Sequence, residues 1–396
     1  MSRTRRSAAG RARTRRSRRR YLAGVGAFGL GLGSAGCLGA PDGTGSTTDG
    51  EGSSGPSDGG NGGLPVRVET VVSGLEVPWG AAYRDGRLYL TERPGRIVRV
   101  ADGGAGSGGG AAEVEVLVDG IPDLEPTGEG GLLGLAFRPG EPTAYTYQTY
   151  DGGGGLRNRV VRHDLDDGWA QESILEGIPA SSIHDGGRLA VRGDSLFVTT
   201  GDANKAGLAQ DRESLAGKVL RLTLDGDPHP DNPFGNEVFS YGHRNPQGLA
   251  FRDGTLYSTE HGPDVDDEIN ALEAGRNYGW PEVTGPSEDD EYADPIASYT
   301  PTIAPGSATF YGGPIDAWRG DFFFGTLVGE HLHRTRIRKN GGVAADERLF
   351  EGEFGRLRTA FVDPDGHLLV ATSNRDGRGS PRESDDRVLR LLPADG

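Results

Sequence analysis

Two short strings in this chain carry residues suited to proton transfer. His184 opens HDGGRL (184–189), flanked by small residues that let a substrate approach, and Asp202 closes TGD (200–202) one hairpin later. An imidazole titrates near neutral pH and is suited to accept a proton there. A carboxylate one hairpin away could orient the ring and stabilise its cation. A lone loop histidine is most often a surface residue; its place between two strand patterns, with an aspartate following, sets this one apart. A third string, RLR (356–358), puts Arg356 and Arg358 at alternate positions of a strand pattern, so both face one side and can pair with carboxylates in bidentate fashion. Asp266 and Asp267 are neighbours on an extended chain, so they point opposite ways and cannot serve one metal site together. Runs of acids are usually solvated, and neither is counted as a ligand.

The elements that position these residues come as a repeat. The stretches 80–92, 188–202, 248–260 and 358–372 each read as an apolar alternation, a tight turn with Asp and Gly, then a second alternation ending near an acid or hydroxyl. Two-residue turns demand positive φ and so favour Asp, Asn and Gly. A fifth copy (134–151) has a looser turn and a sixth lies around 307–327. With Gly80, Gly134, Ala190, Leu249, Ala308 and Ala360 as markers, the spacings are 54, 56, 59, 59 and 52 residues. β units of that regularity predict an all-β fold, a six-bladed β-propeller over residues 64–396, with no helix of useful length. Propellers build their sites in the central channel from loops between blades, where the polar and glycine-rich strings fall.

Those strings, taken with TGEGGLLGLAF (127–137), LAGKVLRL (215–222), YGHRNPQGLAF (241–251) and EHGPDVDDEINALEAGRNYGWP (260–281), resemble the soluble glucose/sorbosone dehydrogenase family. The resemblance spans about residues 70–393 in family order and is nearest to the compact aldose sugar dehydrogenases. It implies oxidation of aldose sugars at C1 to lactones, with pyrroloquinoline quinone (PQQ) and calcium as cofactors and electrons passed to an external acceptor such as a quinone or small copper protein. It assigns His184 as base and Asp202 as its partner. Arg244 and Asn245 would contact the quinone oxygens and help polarise it. Arg356 and Arg358 would bind its carboxylates, with Glu129 and His261 at two further pocket positions. The carbonyls of Gly262 and Pro263 would hold the activating calcium, and Glu268 with the Tyr278 carbonyl a second, structural one.

Three departures stand out. Val328 follows FGTL (324–327) where the longer glucose dehydrogenases place a cofactor-binding lysine, and Ile183 stands where they carry an aspartate. Glu129 and His261 replace glutamines, which is typical of the aldose subgroup. Two other classes compete: a propeller that has lost its cofactor and only binds, and a calcium-dependent lactonase. The retained set of His184, Asp202, Arg244, Asn245, Arg356 and Arg358 argues against the first, and a lactonase has no use for the arginines.

The N-terminus reads as an address. SRRRYL (17–22) before an apolar, glycine-rich run that ends in SAGC (34–37) has the order of a twin-arginine export signal with a lipobox. Residues 1–36 are then the signal, Cys37 the lipid-bearing residue, and 37–63 a Gly/Ser/Asp-rich disordered tether on the extracellular face of the cell membrane. Cys37 is the single cysteine in the chain, which excludes a disulfide scaffold and cysteine-ligated zinc. The first twenty residues hold ten arginines and 1–36 no acid, so the remainder carries 32 basic against 58 acidic residues, a net −26, with three lysines in all. That balance excludes nucleic acid as a partner and points to a surface kept hydrated in strong salt.

Overall fold

Every described strand in the computed structural model lies antiparallel to at least one neighbour. Residues 66–101 and 112–394 are described; the expected signal and tether lie outside them. The first sheet runs Pro78–Arg84, Arg87–Glu92, Arg96–Val100 and Val114–Val118. The second runs Leu132–Phe137, Thr143–Asp151, Leu156–Asp164 and Ala170–Pro179. The third runs Leu189–Arg192, Ser195–Thr200, Lys218–Thr223 and Val238–Tyr241, and the fourth Pro246–Arg252, Thr255–Glu260, Asp267–Leu272 and Ala297–Tyr299.

An eight-stranded sheet completes the set. It joins a meander of Pro305–Phe310, Phe322–Thr326, Leu332–Ile337 and Val343–Leu349 to one of Leu357–Val362, Leu368–Thr372 and Val388–Pro393. The joint is a single parallel pair, Ser307 opposite Thr359. Val66–Val72 then lies antiparallel along the C-terminal strand, with Val66 opposite Pro393. The result is an all-β, propeller-like fold whose described helical content is two short 3-10 turns, Ala206–Ala209 and Asp316–Trp318.

Strand burial follows position in each sheet. Ser195–Thr200, second in its sheet, is buried at all six residues because neighbouring sheets cover both faces, whereas Ala170–Pro179, fourth in its sheet, is mostly exposed. Clusters between sheets make the core: Trp79, Leu133, Tyr147, Val198 and Leu220 fuse the first three sheets, and Tyr257, Ile269, Phe322 and Phe324 fuse the fourth to the eight-stranded one. The tight turns behave as the sequence predicts, since Asp85-Gly86 and Asp253-Gly254 have positive φ at both residues.

The leading strands of the sheets, and of the two meanders within the eight-stranded sheet, come together with little room for side chains. A Cβ on Gly306 would lie 2.1 Å from the Arg358 carbonyl oxygen. Hydroxyls stitch the same seam. Thr91 Oγ1 donates to the Leu133 carbonyl at 2.5 Å, Thr259 Oγ1 to Gly306 at 2.6 Å, and Thr359 Oγ1 to Trp79 at 2.7 Å, which ties the last sheet to the first. Gly306→Ala is therefore expected to lower unfolding stability by about 3 kcal/mol, the upper range of overpacking, because the obstacle is backbone. Gly207→Ala, where a Cβ meets nothing within 4 Å, should stay within about 0.5 kcal/mol of the parent in the same urea titration.

Candidate active site

His184 sits on the loop between the second and third sheets with φ +63, a left-handed conformation that a non-glycine residue holds only when its surroundings enforce it. Those surroundings are visible. The His184 N–H donates to Glu129 Oε2 at 3.0 Å, and its carbonyl oxygen lies 1.9 Å from where a Gly201 Cβ would stand. His184 Nδ1 donates to Asp202 Oδ1 at 2.8 Å, with both side chains nearly buried. That bond places the ring proton on Nδ1 and leaves Nε2 as the nitrogen able to accept a proton.

Asp202 is held from three more directions. Its Oδ1 also accepts the Asn204 N–H, its Oδ2 accepts Trp280 Nε1–H at 2.8 Å, and its own N–H donates to the Arg244 carbonyl at 2.8 Å. Trp280 also lies under the Arg244 guanidinium, 5.3 Å from ring centre to Cζ. Nothing in the sequence around Trp280 marks it for a role; the fold brings it to Asp202 from 78 residues away.

The predicted pocket residues converge on the same place. Asn245 accepts the Gly186 N–H through Oδ1 at 3.0 Å and approaches Glu129 Oε2 through Nδ2 at 3.4 Å. Arg244 Nη1 donates to the carbonyls of His261 and Gly262 at 3.2 and 2.5 Å, while its buried Nε has no partner. Glu129 Oε1 accepts Arg378 Nη1 at 3.0 Å. Burial works against the Glu129 charge, but a protonated His261, the His184 N–H and Arg378 outweigh it and hold the carboxyl down at about 2. Burial lowers His261 as well, so at neutral pH the N–H and Arg378 sustain the carboxylate.

Arg356 and Arg358 do share a face, as their alternation predicts. Arg356 Nη2 lies 2.8 Å and Arg358 Nη2 3.7 Å from Asp376 Oδ2. Asp376 and Arg378 belong to segment 373–387 between the last two strands, whose sequence reads as a charged, turn-rich surface loop. No signal short of the fold would have picked them out.

Asp266 and Asp267 do face different partners, but Asp266 has φ +58 and lies outside the strand that begins at Asp267, so the chain is not extended through both as the sequence reading assumes. Asp267 accepts the N–H groups of Gly262, Ile303 and Ala304, whereas Asp266 takes hydroxyls from Ser298, Thr300 and Thr284. Glu268 lies in register with Glu260 on the adjacent strand, two buried carboxylates side by side. Like charges opposite one another are destabilising. Burial first and Glu260 second push the Glu268 carboxyl up to about 8. A small cavity lined by Arg244, Glu260, His261, Gly262, Glu268 and Tyr278 opens beside them. The side-by-side carboxylates of Glu260 and Glu268 are oxygen donors of the kind a hard divalent cation takes. An orphaned Arg244 donor beside the arginine cluster fits a polyanionic cofactor. Pro263 is exposed at the edge of this group, and Tyr278 spends its hydroxyl on the Ala271 carbonyl at 2.6 Å, leaving the main chain as its means of reaching a cation.

The raised Glu268 pKa has a sign. Its folded value lies above the ordinary 4.5, so from there to about 8 the metal-free native state holds a proton that the unfolded chain has lost, and stability falls as pH rises. Glu268→Gln is expected to flatten that fall and to remove any calcium-dependent rise in melting temperature, read by thermal unfolding at pH 6 and 9 with and without Ca²⁺.

Comparison with known proteins agrees with this picture. The family model for glucose/sorbosone dehydrogenases matches residues 75–386. Aldose sugar dehydrogenase YliI of Escherichia coli is 30% identical, over 80% of this chain and 93% of its own length. Quinoprotein glucose dehydrogenase B of Acinetobacter calcoaceticus is 34% identical over 57% of this chain and 54% of its own. The PQQ-bound aldose sugar dehydrogenase of Streptomyces coelicolor superposes with a TM-score of 0.74 at 38% identity, covering 82% of this chain and 98% of that one.

Proposed function

The chain belongs to the glucose/sorbosone dehydrogenase family, and on that premise we propose that it is a PQQ- and calcium-dependent dehydrogenase oxidising aldose sugars at C1 to lactones. The observation that carries this reading is the His184–Asp202–Trp280 chain, set beside Arg244 and the Glu129–Arg378 pair. PQQ supplies a two-electron centre able to take a hydride from C1, with calcium as a Lewis acid that activates it.

The chain's own residues do the rest. His184 Nε2 takes the C1 hydroxyl proton as the carbon gives up its hydride, and Asp202 stabilises the imidazolium and prevents the ring from turning. The Trp280 N–H keeps the second Asp202 oxygen occupied, so the carboxylate stays aimed at Nδ1. Arg244 and Asn245 would supply fixed hydrogen-bond donors to the cofactor, a preorganised polar setting for its reduction. The Gly262 and Pro263 carbonyls would hold the activating calcium, with Glu268 and the Tyr278 carbonyl at the second ion. Arg244 spans the His261 and Gly262 carbonyls, the kind of oxygen donors a cation needs.

We read the eight-stranded sheet as two four-stranded blades joined at one pair, which makes six blades with the other four sheets and puts this pocket over their common axis. The same reading makes the protein an exported lipoprotein, anchored through Cys37 and passing electrons to a quinone or small redox protein outside the cell.

Apo-protein mixed with PQQ, Ca²⁺ and a panel of aldoses is expected to reduce an artificial dye; no reduction with any aldose, together with no PQQ-dependent thermal stabilisation, would remove the proposal. His184→Ala should cut kcat by roughly 10³-fold while PQQ still binds, within the usual range for loss of a general base. Trp280→Phe should lower kcat about tenfold with little change in KM, since it loosens the orientation of the base and leaves the sugar's contacts intact.

A further inference from the structure

Donor accounting separates the arginines of the pocket. Arg356 commits all three nitrogens within the protein: Nε and Nη2 to Asp376 Oδ2 at 3.0 and 2.8 Å, and Nη1 to the Leu327 carbonyl at 2.8 Å. Arg358 gives Nε to Ser373 Oγ at 3.2 Å and Nη1 to Gln247 Oε1 at 2.9 Å, with its remaining nitrogen facing Asp376. The two arginines that the family resemblance offers to the cofactor's carboxylates are thus largely spent on the protein's own acceptors.

Arg378 differs from both. It spends one side-chain nitrogen, on Glu129 Oε1, and its side chain is 57% exposed. Glu129 keeps other donors when Arg378 leaves, because its Oε2 takes the His184 N–H and faces Asn245. Segment 373–387 delivers Arg378 to this spot rigidly. Asp376 grips Arg356 and accepts the Arg378 N–H through Oδ1, Gly379 packs so closely that a Cβ would lie 2.9 Å from Arg356 Cδ, and Arg375 Nε donates to the Asp385 carbonyl. Val328, next to the carbonyl that receives Arg356, contributes no cation of its own and is 56% exposed.

Resting on the function proposed above, we infer that Arg378 is a cofactor-binding residue: it leaves Glu129 to receive a carboxylate of PQQ, supplying from the C-terminal loop the cation that Val328 does not. A guanidinium with two uncommitted nitrogens can take a carboxylate in a bidentate pair, and its exposure lets it move without disturbing the core. Glu129 is then a holding partner that keeps the arginine over the pocket until the cofactor enters. No proton or electron moves in this step; one ion pair is exchanged for another.

The test is a PQQ titration of metal-loaded apo-protein, followed by tryptophan fluorescence quenching so that no turnover is needed. Arg378→Ala is expected to raise the Kd for PQQ at least tenfold with an unchanged apo melting temperature, and Arg378→Lys to recover part of the loss. Arg319→Ala, an exposed arginine paired with Asp316, controls for net charge and should bind as the parent does. A Kd for Arg378→Ala within twofold of the parent overturns the inference. Failure of the parent to bind PQQ at all would remove the functional proposal and this inference with it.

Discussion

Backbone against backbone at the first strands of the sheets is the constraint on which the rest of this structure depends. Each sheet must bring one edge close to its neighbours' edges, and the distances leave no room for a methyl group at positions such as Gly306, against the Arg358 carbonyl. Because the obstacle is main chain, the spacing cannot relax by a side chain turning away. The strand that carries Arg358 is therefore located by packing with the strand that carries Gly306. The same logic places His184: Gly201 lies against its carbonyl and holds that loop in its left-handed turn. The geometry around His184 is a by-product of how closely the sheets approach.

That closeness also forces charge into the interior. Arg188 is buried with its Nε on the Gln247 carbonyl and its guanidinium 4.1 Å from the Trp79 ring centre, and one of its nitrogens finds no partner. Burial, with Arg358 nearby, brings Arg188 down to about 9; Arg358 falls to about 10, through burial above all. Buried guanidinium groups with so few carboxylates cost stability rather than add it. Their compensation is functional, since a fixed positive field is already in place when an anion arrives and needs no rearrangement. Asp376 sits between Arg356 and Arg358 and tempers that field without cancelling it.

The legible part of this protein was the part written in periodicity and in short strings. Strand alternation and Asp-Gly turns announce the sheets, because burial on a period of two and positive φ both restrict residue type. His184, Asp202, Arg244, Asn245, Arg356 and Arg358 stand out because glycines and polar residues cluster where strands end. Trp280 is not legible in the same way: a tryptophan in a loop reads as packing, and only the fold puts its N–H on Asp202. Asp376 and Arg378 were invisible because SNRDGRGSPRESDD (373–386) has the composition of any solvated turn. Their roles arise from contacts such as Arg378 with Glu129, 249 residues apart, and no local pattern encodes a contact of that kind.

Charge then divides between outside and inside. The chain beyond its first 36 residues carries −26, yet the described pocket gathers Arg93, Arg244, Arg356, Arg358 and Arg378 around Glu129 and Asp376. A polyanion approaching this molecule meets repulsion at long range and attraction only within the site. Salt acts on the two unequally. At about 1 M the screening length is about 3 Å, which removes the repulsion of a surface charge several ångströms off but reaches buried pairs far less. An acidic exterior and an arginine-lined interior are thus compatible with anion binding most fully where ionic strength is high. At low ionic strength the same surface field opposes the entry that the pocket favours.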